Sequence, residues 1–152
     1  MTSRRMLAAA LLLAAASRLA AEEGVVEKVI PFPRRGVEKV DLVYKKCTIQ
    51  TLEARNYPDQ EDIDKARANN PKDHSWIWWQ LELDNRGPEK FKIKLYVEVL
   101  DKAGTVVTKS DRSATIDGFE SESYRISGRM RTLDAADSPK VRVRAQFVHD
   151  KK

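Results

Sequence analysis

Of 152 residues only Cys47 carries a thiol, so no intramolecular disulfide braces this fold. Glycine and proline number six each, too few for a collagen-like or low-complexity chain. The two histidines, His74 and His149, stand far apart, with no Cys or carboxylate at ligand spacing. Both are expected at the surface, and neither a metal site nor a cofactor is expected. No glycine-rich phosphate loop and no nucleophile elbow occur. Nothing in the spacing points to catalysis, and a non-enzyme is the expectation. The longest apolar run, Met6 to Ala16, falls well short of the roughly 20 residues that cross a bilayer, so no integral membrane span is expected.

What is present begins with a three-part leader. Arg4 and Arg5 form a positive segment, Met6 to Ala16 an apolar one, and Leu19-Ala20-Ala21 a small-residue stretch before Glu22. That order is the mark of a secretory signal peptide, residues 1–21, with cleavage near Ala21 and Ala14-x-Ala16 as the alternative. The run Ser3-Arg4-Arg5-Met6-Leu7 is also similar to a twin-arginine signal, so the export route stays open. A periplasmic or secreted protein follows. The leader distorts the overall charge of +5: it holds three arginines and no acid, and removing it leaves 25 basic residues against 23 acids, or +2. So nearly neutral a chain gives no ground for a nucleic-acid partner.

The remainder, with 41% apolar and 34% charged residues overall, suits one small domain with a large solvated surface. Residues 22–36 read as an extended lead-in. Pro31 and Pro33 keep it from being a central strand, though an edge strand remains open. After Gly36 apolar residues recur with period two. Val40, Leu42 and Tyr44 alternate with polar neighbours, and a phase slip at Lys45-Lys46 is read as a β-bulge. Ile77, Trp79, Leu81 and Leu83 form one strand, and Phe91 to Val99 the clearest one. Asp101-Lys102-Ala103-Gly104 closes a hairpin with Gly104 at positive φ. Thr105 to Lys109, Ala114 to Asp117, Tyr124 to Gly128 and Val141 to Phe147 follow. About seven short strands separated by turns read as an all-β, immunoglobulin-like antiparallel β-sandwich over 37–150. One helical insertion interrupts it at 58–68, with proline and acids at its start and Asn69-Asn70-Pro71 at its end.

The run Val97-Glu98-Val99-Leu100-Asp101-Lys102-Ala103-Gly104-Thr105-Val106-Val107 resembles the central hairpin of FxLYD-type domains of bacterial envelope proteins. The Phe, Leu and Tyr of that pattern correspond to Val97, Val99 and Leu100, and Asp101 is retained. Trp79-x-Leu81-x-Leu83 and Ile116-Asp117-Gly118-Phe119 also look similar, and together these cover roughly half of the chain after the leader. The resemblance implies an immunoglobulin-like sandwich and carries no catalytic site.

The candidate binding residues come from the strands. With Ile77 and Trp79 inward, Trp76 and Trp78 take the opposite face, where two indoles mark a binding surface unless the lead-in or the 58–68 helix covers them. Lys90, Lys92 and Lys94 share one face of their strand, and Arg142 and Arg144 share another. Each stripe suits an anionic partner or a solvated face. Asp59, Glu61, Asp62 and Asp64 are expected to serve the helix N-terminus, with calcium as the alternative. Cys47 is expected to be a small buried residue, the alternatives being an intermolecular disulfide or a reactive thiol. The function expected is an exported protein-binding or assembly module for an envelope or extracellular partner. A carbohydrate-binding module that uses Trp76, Trp78 and the lysines is the alternative, and a secreted enzyme with an unrevealed site a third.

Overall fold

The computed structural model describes residues 24–34 and 36–149; the expected signal peptide lies outside the described residues. Eight strands and two helices follow in the order β1 (Val25–Pro31), β2 (Val37–Tyr44), β3 (Cys47–Arg55), α1 (Gln60–Asn69), β4 (His74–Asn85), β5 (Phe91–Leu100), β6 (Val106–Ile116), β7 (Ser121–Arg131), α2 (Thr132–Asp137) and β8 (Lys140–His149). The strands form two four-stranded antiparallel sheets, ordered β1-β8-β5-β6 and β2-β3-β4-β7. The chain is therefore an all-β sandwich. Strands β3-β4-β7 face β6-β5-β8 in the order of an immunoglobulin-like domain, with the N-terminal β1 beside β8 where such domains place their last strand.

Period-two alternation sets which side chains fill the space between the sheets. On β4, Ile77, Trp79, Leu81 and Leu83 are buried; on β5, so are Phe91, Ile93, Leu95, Val97 and Val99. Val141, Val143, Ala145 and Phe147 of β8 join them. Each large side chain so buried contributes roughly 1.5–3 kcal/mol, and with no disulfide this core carries the fold. The Trp79 ring lies 5.4 Å from that of Phe32, while Tyr44, Phe91 and Phe147 meet around a second centre, with Tyr44 stacked on Phe147 at 4.8 Å. Glycine at 128 lets the Trp79 indole lie against β7, since a Cβ there would sit 2.9 Å from Nε1.

The lead-in takes the edge-strand form that the sequence left open: β1 pairs with β8 from Val25 to Pro31. Other local expectations are corrected. Lys45-Lys46 is a two-residue turn, not a bulge, and Tyr44 pairs with Cys47 across it. Residues flanking such a turn share a face three positions apart, which imitates the phase slip of a bulge. The irregularities of this sheet lie at Asp41, where φ is 48°, and between Ile49 and Thr51. The expected strands Thr105 to Lys109 and Ala114 to Asp117 merge into one, Val106–Ile116, because β5 pairs with β6 through the polar stretch between them. The short α2 has no counterpart among the expected elements. The 58–68 helix forms as α1, with Asp59 capping it through the Asp62 amide at 2.8 Å and Ile63 and Ala66 as its buried face. Gly104 has φ 82° in its hairpin, where Asp101 Oδ1 accepts from the amides of Ala103 and Thr105.

Two polar clasps hold the ends. Asn85 is buried where β4 crosses to the other sheet. Its Nδ2 donates to the carbonyls of Glu89 (2.7 Å) and Asp117 (3.0 Å), and its Oδ1 accepts from the Gly87 amide (3.2 Å). One side chain thus joins the β4–β5 and β6–β7 crossovers. At the opposite end the Arg34 guanidinium donates to the carbonyls of Ala135 (3.2 Å), Ala136 (2.9 Å) and Ser138 around the end of α2, and to the Tyr57 hydroxyl (3.2 Å). Asn85→Ala leaves two part-buried carbonyls short of a donor and is expected to cost about 1–2 kcal/mol. Urea unfolding measures it, and a loss below about 0.5 kcal/mol would show that the clasp is dispensable.

Candidate functional site

Trp76 and Trp78 alternate outward from the core positions of β4. They are 54% and 43% exposed, so neither β1 nor α1 covers them. The lead-in pairs with β8 in the other sheet, and α1 packs against α2. The indoles therefore stand on the open outer face of β2-β3-β4-β7. Neighbouring strands supply their surroundings. Trp76 lies opposite Arg129 of β7, whose guanidinium sits 5.8 Å from the indole centroid, within cation–π reach. Trp78 lies between Ser127 of β7 and Arg55 of β3, and Gln80, next outward on β4, lies opposite Arg125. Asn56 holds a left-handed conformation (φ 60°) at the exit of β3 and donates from Nδ2 to the Trp76 carbonyl at 2.8 Å, which fixes this end of β4.

The lysines stand elsewhere. Lys92 and Lys94 project from the outer face of β5, in the other sheet, and so point away from the indoles. Lys90 precedes that strand and lies 3.5 Å from Asp117; Lys94 lies 3.5 Å from Asp111. Lys92 and Lys94 line an open groove of about 510 Å3 together with Arg112, Ser113, Thr115 and Gln146. An indole platform working with nearby lysines is thereby corrected: the Asn85–Lys90 link crosses between sheets, a step that alternation within each strand does not reveal. Arg142 and Arg144 share this lysine face. Arg142 lies 3.6 Å from the buried Glu98, and Arg144 stands over the Tyr96 ring at 5.7 Å.

The remaining candidates are occupied in holding the fold. Besides Asp59 at the cap, Glu61 pairs with Lys65 at 2.9 Å and Asp64 accepts from Gln60 at 2.9 Å. His74 is exposed at the start of β4. Among the described residues no group of three His, Cys, Asp or Glu is placed to hold a metal ion. Cys47 is fully buried, and burial, with a smaller contribution from the Asp84 carboxylate, pushes its thiol up to about 11. A protonated, inaccessible thiol fits the small-core role. Arg55, Arg125 and Arg129 escaped the sequence reading. Their signal lay in the outward positions of β7 and at the end of β3, but only strand register sets them beside the indoles.

What the fold defines is a class, the all-β sandwich. No protein-family model matches the chain, and no curated protein matches it. Among solved structures, a beta-glucuronidase from glycoside hydrolase family 2 is similar over 40% of this chain and 6% of that chain, with 20% identity and a TM-score of 0.38. That likeness carries nothing about function. No helix among the described residues is long and apolar enough to cross a membrane.

Two outcomes follow from burial. Trp76→Ala with Trp78→Ala is expected to change unfolding free energy by about 1 kcal/mol, whereas Trp79→Ala costs about 3–5 kcal/mol by opening the core. Comparable losses would mean the outer indoles serve packing. Burial also raises the Tyr124 hydroxyl to about 12. Cys47 and Tyr124 both bind protons more tightly folded than unfolded, so their contribution is whole below about pH 9 and is lost as pH rises toward 11 and 12. A urea midpoint that stays constant from about pH 8 to pH 11 would contradict this.

Proposed function

We propose that this chain is an exported, non-enzymatic β-sandwich that binds a protein partner in the periplasm or outside the cell, using the outer face of β4 and β7. The observation that carries the reading is the exposure of Trp76 and Trp78 side by side on one strand. Water-facing indoles forgo burial worth kilocalories, and tryptophan and arginine are the residues most enriched where partners contribute binding energy. Val37, 58% exposed, adds an apolar side chain to the same face two strands away, in the row of Glu53 and Gln80. The leader supports export, and the resemblance of residues 97–107 to FxLYD-type domains agrees with an envelope setting. A carbohydrate-binding module is the second reading, favoured by the same uncovered indoles, on which pyranose rings stack.

A pull-down from envelope extract with the leaderless protein as bait tests the first reading. Capture of a discrete partner is expected, weakened at least about tenfold by Trp76→Ala with Trp78→Ala. Equal capture by both proteins would remove the indole face from the function. Tryptophan fluorescence across a glycan panel tests the second, and an unchanged spectrum throughout would reject it.

A further inference from the structure

The half of this face that holds the indoles is also its cationic half. Arginine occupies the outward β7 positions 125, 129 and 131, and serine those at 121, 123 and 127, the last opposite Trp78. The acids of β4, Glu82 and Asp84, lie at the serine end. Two cations around the indoles are neutralised locally, Arg131 by Asp134 at 3.0 Å and Arg55 by Glu53 at 3.5 Å. Among the described residues Arg125 and Arg129 make no ion pair. Glu82 accepts from Gln80 and Ser123, and Asp84 from Ser121 and Arg86, so both acids are engaged elsewhere.

We infer that the surface takes a carboxylate-rich segment of a protein partner, whose Asp or Glu side chains pair with Arg125 and Arg129 while its apolar parts cover Trp76 and Trp78. This rests on the indole face being the protein-binding surface. Any partner that covers Trp76 also removes water from Arg129, and a neutral or cationic cover would strand that charge. A carboxylate compensates it, and the planar guanidinium accommodates two parallel hydrogen bonds to one carboxylate. The lysine face of the other sheet matches such a partner less well, because Lys94 and Arg142 already face Asp111 and Glu98.

Fluorescence anisotropy of labelled poly-L-glutamate, titrated with the leaderless protein at low salt, tests the inference. Saturable binding is expected, weakened at least about tenfold by Arg125→Gln with Arg129→Gln and equally by Trp76→Ala with Trp78→Ala, but less than about twofold by Lys92→Gln with Lys94→Gln. These side chains lie at the surface, and thermal melting of each variant confirms that it folds. Absence of saturable binding, or binding that survives loss of both arginines, overturns the inference; if the tryptophan variant still loses binding, the indole reading stands alone. Binding lost with the arginines but kept without the indoles rejects the indole reading and the inference together. Tighter binding of polygalacturonate than of poly-L-glutamate replaces the acidic protein with an acidic polysaccharide.

Discussion

The phase of β4 is the constraint on which the rest of the molecule depends. With Trp79 inward, Ile77, Leu81 and Leu83 are buried with it, and Trp76, Trp78, Gln80 and Glu82 take the outer face. A one-residue slip would exchange the two sets, exposing the apolar run and burying a carboxylate. Gly128 on β7 and the Phe32 ring both depend on that phase, because both accommodate the Trp79 indole. The core and the candidate binding face are therefore two consequences of one register.

The clasps convert that register into a sandwich. Each crossover between sheets turns the backbone out of its ladder and leaves polar groups to satisfy. Asn85 supplies both donors and an acceptor where β4 and β6 leave their sheets, and Arg34 gathers the carbonyls around the end of α2 where β7 passes to β8. These corners decide which surfaces lie together as well as stability. Because β4 turns to the other sheet at Asn85, the indoles and the lysine stripe face opposite ways and cannot share one ligand.

Stability rests on packing, because Cys47 has no partner and lies in the core. The outer faces are left free to carry charge, and they do so differently. The lysine face is largely matched by its own acids, whereas the indole half of the other face keeps two arginines without carboxylates. Such uncompensated charge beside exposed aromatic surface adds little to stability, and its chemistry suits the proposed recognition role.

Much of this was legible from local pattern. Period-two alternation specified the buried sides of β4, β5 and β8, Pro58 and the acids marked the start of α1, and Asp101 with Gly104 marked the hairpin, because each depends on residues close in sequence. Alternation alone could not tell the Lys45-Lys46 turn from a bulge, extend β6 through polar residues, or foresee α2, since partners distant in the chain set those outcomes. The same division runs through the candidate site. The sequence by itself put Trp76 and Trp78 on the side of β4 away from the core. Only the tertiary structure left them uncovered, set Arg125 and Arg129 beside them and moved the lysines to the far face, because strand register and sheet crossover are long-range pairings.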